Sequence, residues 1–214
     1  MGSVIFLKKR YRYNRLLIAT IMLSLLFSCT QIKQRKQISE INKIYKSGYP
    51  DSAYAILLIF IKDNPANDAA WVLKGNIEKF RNNDSIAFSD YKRALQITDK
   101  NDAAYVGLGV IYRKRNNLTI AENMYINALK INPKNAQAYS SLAVLEMEKG
   151  LYQKSVSYGM QAYMLNGSDL DIAANLAIAY HHINDTLNRN FFYKMCIDKK
   201  YKHIDVLTYL FEYK

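Results

Sequence analysis

Few side chains in this sequence could carry chemistry. Cys29 and Cys196 are its only cysteines, and neither lies in a CxxC pair or a Cys/His cluster, so no structural zinc or iron–sulfur ligand set is present. His181 and His182 are neighbours, which on a helix sets them about 100° apart, whereas chelation of one metal from a helix needs an i, i+4 pair. Gly107-Leu108-Gly109 is a fragment of a dinucleotide fingerprint without its third glycine or a preceding strand. There is no P-loop, no HExxH and no GxSxG. The sequence thus names no catalytic residue, no metal site and no cofactor, and its function must reside in its surfaces.

Cys29 stands apart because of what precedes it. Lys8, Lys9, Arg10, Arg12 and Arg15 lead into the apolar run LLIATIMLSLLFS of residues 16–28, the layout of a signal peptide. Residues 16–29 number 14, short of the roughly 20 needed to span the hydrocarbon core. The end of the run, Leu26-Phe27-Ser28-Cys29, resembles the lipobox of bacterial lipoproteins, with Phe27 departing from the usual small or β-branched residue. That resemblance implies cleavage after residue 28, lipidation of Cys29, and an exported protein held on a cell membrane, the outer one facing the periplasm. Residues 29–36 are then expected to form a lipidated tether carrying Lys33, Arg35 and Lys36, where each positive charge adds about 1 kcal/mol of attraction to an anionic membrane surface.

Composition agrees with a packed domain: 50% of the 214 residues are apolar and 22% charged, which excludes wholesale disorder. Eight Gly and three Pro are too few for a turn-rich β sandwich or barrel. Removal of residues 1–28 takes five positive charges away and lowers the formal charge from +12 to +7. The positives that remain are scattered, and an exported protein meets little nucleic acid, so no nucleic-acid partner is expected.

The body repeats. Trp71, Tyr105 and Tyr139 stand 34 residues apart, and four residues after each comes Gly75, Gly109 or Ala143, continued by Ala177. Further series in the same register are Ala53, Ala87, Ala121 and Ser155, then Ala94, Ala128, Ala162 and Cys196. Cys196 therefore falls at a small core position, where a buried, unreactive thiol is expected. On these residues the chain resembles the tetratricopeptide repeat (TPR) family, whose 34-residue pattern is met best by Tyr105, Leu108, Gly109, Tyr112, Ala121, Tyr125, Ala128 and Pro133. The resemblance implies an all-α fold: a right-handed solenoid of about five helix-turn-helix units, at about 34–67, 68–101, 102–135, 136–169 and 170–203, within a region 37–203. Ile204, Leu207, Leu210 and Phe211 at helical spacing predict a C-terminal capping helix over 204–214.

In that family the first helices line the inner groove, where peptides or helices bind. By register the groove would include Asn76, Lys79, Val106, Val110, Arg113, Lys114, Val144, Met147, Ile178 and His181. An apolar floor with basic residues in the earlier units suggests an envelope protein segment with acidic and apolar residues as partner, held by a non-enzymatic scaffold. A competing reading is an accessory enzyme with a groove-borne site, or a signal-anchored inner-membrane repeat protein. Asp51-Ser52, Asp84-Ser85 and Asp185-Thr186 read as N-caps of second helices. With the aliphatic residue that follows, they are also similar to the acceptor of a general O-glycosylation system in some Gram-negative bacteria, which would modify Ser52, Ser85 and Thr186. Oligomeric state is open at this point.

Overall fold

The computed structural model describes residues 28–212, together with Met22 and Ser24. The other residues of 1–27, within the expected signal peptide, and the last two residues lie outside the described residues. Every element described is helical: α1 over 28–46, α2 (Pro50–Asp63), α3 (Asp68–Phe80), α4 (Asp84–Ile97), α5 (Asp102–Lys114), α6 (Leu118–Ile131), α7 (Ala136–Glu148), α8 (Tyr152–Leu165), α9 (Leu170–His182), α10 (Thr186–Asp198) and α11 (Ile204–Glu212). The chain forms two compact units, one ending at Asp63 and one running from Asn64. In the first, the expected tether 29–36 is part of the continuous helix α1, and α2 opens with Pro50, whose missing N–H and fixed φ suit a first helical position.

The second unit is a stack of hairpins, and its period can be read from backbone alone. First helices begin at 68, 102, 136 and 170, with α11 at 204; second helices begin at 84, 118, 152 and 186. Each hairpin turn requires one left-handed residue. Asn82 (φ 62°), Asn116 (60°), Gly150 (74°) and Asn184 (60°) supply it, 34 apart, and Gly48 (89°) holds the same place between α1 and α2. Glycine adopts this conformation without a Cβ clash, and asparagine tolerates it better than other residues. The next residue then donates back to the helix, as Asn83 N does to the Glu78 carbonyl (2.9 Å) and Asn117 N to that of Tyr112 (2.9 Å), which closes a Schellman motif. Lys200 (φ 55°) ends α10 in the same way, with Tyr201 N on the Cys196 carbonyl (2.8 Å).

The helix starts correct the sequence reading. Asp51 and Asp84 lie inside the first turns of α2 and α4, where their charge faces the positive end of the helix dipole, but neither is the capping residue. Asp185 alone of the three caps as expected, accepting from Asn188 N at 3.0 Å. The first helices have their own caps: Asn67, Asn101 and Asn135 accept from Ala70, Ala104 and Ala138 N at 3.0, 2.9 and 2.8 Å. The amides of Asn101 and Asn135 also reach the preceding hairpin. Asn101 Nδ2 donates to Asp68 (2.6 Å) and Asn135 Nδ2 to Asp102 (2.8 Å), so one asparagine both starts a helix and ties it to its neighbour.

Packing follows the small-residue series. Tyr91, Ala94, Ala104, Leu108 and Ile111 form one core between units, and Val106, Tyr125, Ala128, Ala138, Leu142 and Leu145 form the next. Ala94, Ala128 and Ala162 are fully buried, the places where the following first helix comes closest. In the last unit, Cys196 takes this position and Leu207 of α11 joins the cluster. Where the series has tyrosine at 91 and 125, unit four has Gly159, and Leu176 fills the vacated space: a Cβ on Gly159 would lie 2.7 Å from it.

Candidate protein-binding surface

The stack has an inner side. Successive first helices approach closely at the backbone, α3 with α5, α5 with α7 and α7 with α9, whereas among the described residues no two second helices come as near, α8 and α10 meeting through the rings of Tyr163 and Phe192 (5.1 Å between centroids). Closer spacing along the first helices bends the stack toward them, which makes their free faces one continuous surface.

The last turns of these helices set its character. Lys79, Arg113, Met147 and His181 recur at 34 residues, each followed by Phe80, Lys114, Glu148 or His182. The positive charges there are not bare. Arg113 is paired with Glu148 of the following unit, and Lys114 Nζ lies 3.1 Å from both oxygens of Asp84 in the preceding one. Burial pushes the Lys79 amine below its ordinary value, and the neighbouring charges of Lys114 and Arg113 push the same way against Asp84. Three cations interleaved with two carboxylates form a strip of nearly balanced charge, beside which the Phe80 ring is 63% exposed. Exposed pairs of this kind contribute only about 0–1 kcal/mol to stability, so they cost little to rearrange around a ligand.

Other expected groove residues are placed differently. Val106 is a correction: it is buried in the core shared by α5, α6 and α7, because a first helix packs on both its own partner and the next unit, and position 106 faces that seam. Asn76 is half-buried and accepts a hydrogen bond from the Tyr91 hydroxyl at 2.7 Å, which commits it to the fold. Val110, Val144, Met147 and Ile178 are half-buried and make the apolar floor. His181 is half-buried and roofed by Phe211 of α11, with ring centroids 5.2 Å apart. Tyr193 meets the same phenylalanine edge-on and Arg189 lies 5.5 Å from its centre. The capping helix therefore occupies the last step of the surface, a role for Phe211 that helical spacing alone did not reveal.

His182 stacks on Tyr152 at 4.2 Å, and among the described residues no group of three His, Cys, Asp or Glu side chains could hold a metal ion. The Cys196 thiol is buried and pushed up to about 11, chiefly by that burial, which leaves it unreactive at neutral pH. Cys29 is exposed on α1, and Ser52, Ser85 and Thr186 are exposed at the starts of α2, α4 and α10. Among the described residues no helix is long and apolar enough to cross a membrane.

Residues 102–135 match the family model of the tetratricopeptide repeat. No curated protein sequence matches this chain. Solved structures share its fold: a thermophilic TPR protein of Thermus thermophilus (TM-score 0.69, 18% identity, 81% of this chain and 95% of that one) and pilF of Pseudomonas aeruginosa (0.64, 13%, 77% and 75%). A further likeness is to a chain of the Cut9–Hcn1 hetero-tetramer of the APC/C (0.65, 14%), where the match covers 74% of this chain and 32% of that one. At these identities the likeness shows the fold, an all-helical tetratricopeptide stack.

Proposed function

We propose that this chain is an exported scaffold, cleaved before Cys29, anchored there by lipid to the outer membrane on its periplasmic side, and holding a segment of another envelope protein along α3, α5, α7 and α9. The observation that carries the reading is the unbroken surface of touching first helices, with an apolar floor at Val110, Val144 and Ile178 and a charged rim at Lys79, Arg113 and Lys114. Stacked repeats present such extended faces to protein partners, and a chain of like fold is found in the Cut9–Hcn1 hetero-tetramer. Because Glu148 and Asp84 already answer two of the three cations, a ligand with acidic residues flanking apolar anchors gains by exchanging these pairs, and its charges act on orientation and encounter more than on affinity. An assembly role in an envelope machine is the specific form of this proposal. The exposed Ser52, Ser85 and Thr186 lie outside that surface and are available for glycosylation.

A photo-crosslinking side chain at Val110, compared with one at the exposed Lys130, tests the binding surface in intact cells. One partner in stoichiometric yield from position 110 and none from 130 is expected, with Arg113→Glu/Lys114→Glu slowing its capture and added salt doing the same by screening. Equal yields from both positions, or a yield untouched by the double reversal, reject this surface. Cys29→Ser should abolish acylation and shift the protein out of the membrane fraction; unchanged processing and fractionation reject the anchor.

A further inference from the structure

α1 is one continuous helix over 28–46, so Cys29 is held at a fixed azimuth to every charge that follows it. At about 100° per residue, positions 29, 33, 36, 40 and 43 share one face. That face presents Cys29, Lys33, Lys36, Glu40 and Lys43, all exposed, with the exposed side chain of Ile32 on its flank. The opposite face carries Gln34, Ile38, Ile41 and Tyr45, all buried or half-buried. Arg35 and Lys46 are exposed as well, but both project sideways, roughly 100–120° from Cys29.

We propose that the Cys29 face of α1 lies flat on an anionic lipid surface, with Lys33, Lys36 and Lys43 on the headgroups and Ile32 at the acyl boundary. The inference rests on the proposed acylation of Cys29 and adds what that reading leaves open: which face of the first unit meets the membrane, and that its anchor is a rigid foot and not a slack leash. The acyl chains and three lysines point the same way, against a single glutamate. The row runs over about 14 residues at 1.5 Å each, or about 21 Å along the surface. Lysine stems are long enough to reach headgroups while the helix body stays at the interface. A lipid chain alone binds reversibly, and a basic patch beside it is the usual second signal for stable anchoring. A flexible leash would use Arg35 and Lys46 as readily as the lysines of the row; a helix excludes them.

The test is vesicle binding by the full chain purified from membranes, its acylation read by mass, on phosphatidylglycerol/phosphatidylcholine and on phosphatidylcholine alone. Two double reversals carry the same change of charge: Lys36→Glu/Lys43→Glu on the face, and Arg35→Glu/Lys46→Glu beside it. At roughly fivefold per basic residue, the first should lose about 30-fold or more in partitioning to the mixed vesicles, the second several-fold less, and neither should change on phosphatidylcholine. Equal losses from the two, or no loss from either, overturn the assignment. The same pair placed on Cys29→Ser separates the two readings: a difference that persists without acyl chains supports the lipid-facing row on its own, while a wild-type mass showing no acyl chain ends the proposed anchor and leaves the row standing or falling by the vesicle result.

Discussion

Tyr91 of α4 occupies the space that a side chain at Gly107 of α5 would need: a Cβ there would stand 2.5 Å from the ring carbon bearing its hydroxyl. The same ring faces Gly75 within its own unit, at 2.7 Å, and its hydroxyl is held by Asn76. One buried tyrosine therefore rests between two glycines on successive first helices, and it has nowhere to move.

Gly107→Ala should accordingly destabilise the stack by about 1 to 3 kcal/mol through overpacking, outweighing the roughly 1 kcal/mol that alanine gains in helix propensity. Adding Tyr91→Leu removes the overlap, so the double variant should lose less than the sum of the two single losses. Thermal melts followed by circular dichroism measure both; strict additivity would show that the ring and the glycine are not coupled.

Lys74 and Asp90 replace the apolar pair that Leu108 and Met124 supply one unit later. Lys74 Nζ lies 2.7 Å from Asp90, whose carboxyl is raised above its ordinary value by burial, with the lysine pulling it back. Lys74→Leu alone strands a buried carboxylate and should cost about 3 to 5 kcal/mol, whereas Lys74→Leu/Asp90→Met should return to wild type or above it. Chemical denaturation of the three variants decides; a double variant as unstable as the single one would mean the pair does more than satisfy itself.

Acidification should loosen the C-terminal end. Burial holds His181 below its ordinary value of 6.5, and Arg189 and His182 push the same way. As pH falls past about 6.5 the unfolded chain takes up the proton first, so stability present above that value is lost progressively until pH drops below the depressed folded value. Tm should fall between pH 7.5 and 5 more steeply in wild type than in His181→Gln. Identical slopes would exclude this histidine as the source.

The period was legible because two unrelated needs fall on it, small residues where helices meet and aromatic residues that fill the gaps between them; the left-handed residues at 82, 116, 150 and 184 share the period but emerge only from the backbone. The caps were less legible. Asn83 and Asp84 are both good capping residues one position apart, and the choice between them is made by the left-handed residue just before, which a count of side-chain types does not see. Val106 was misplaced for a related reason. A first helix in a stack is apolar on its inner face and on two seams, so periodicity along one helix does not separate groove from core. The pairing of Lys74 with Asp90, 16 residues away on another helix, and the seating of Phe211 on His181 depend on tertiary approach and leave no local signature.

The asparagine links have a mechanical consequence. Asn101 to Asp68 and Asn135 to Asp102 join neighbouring hairpins only, as do the cores between them. Were the stack anchored at one end and loaded by a cargo as proposed, it would be held in tension, and a chain of nearest-neighbour links yields one link at a time. Each hairpin that lets go frees 34 residues, about 110–120 Å of extensible chain. The stack would thus act as a stepwise shock absorber, lengthening in equal increments while the remaining repeats keep their hold.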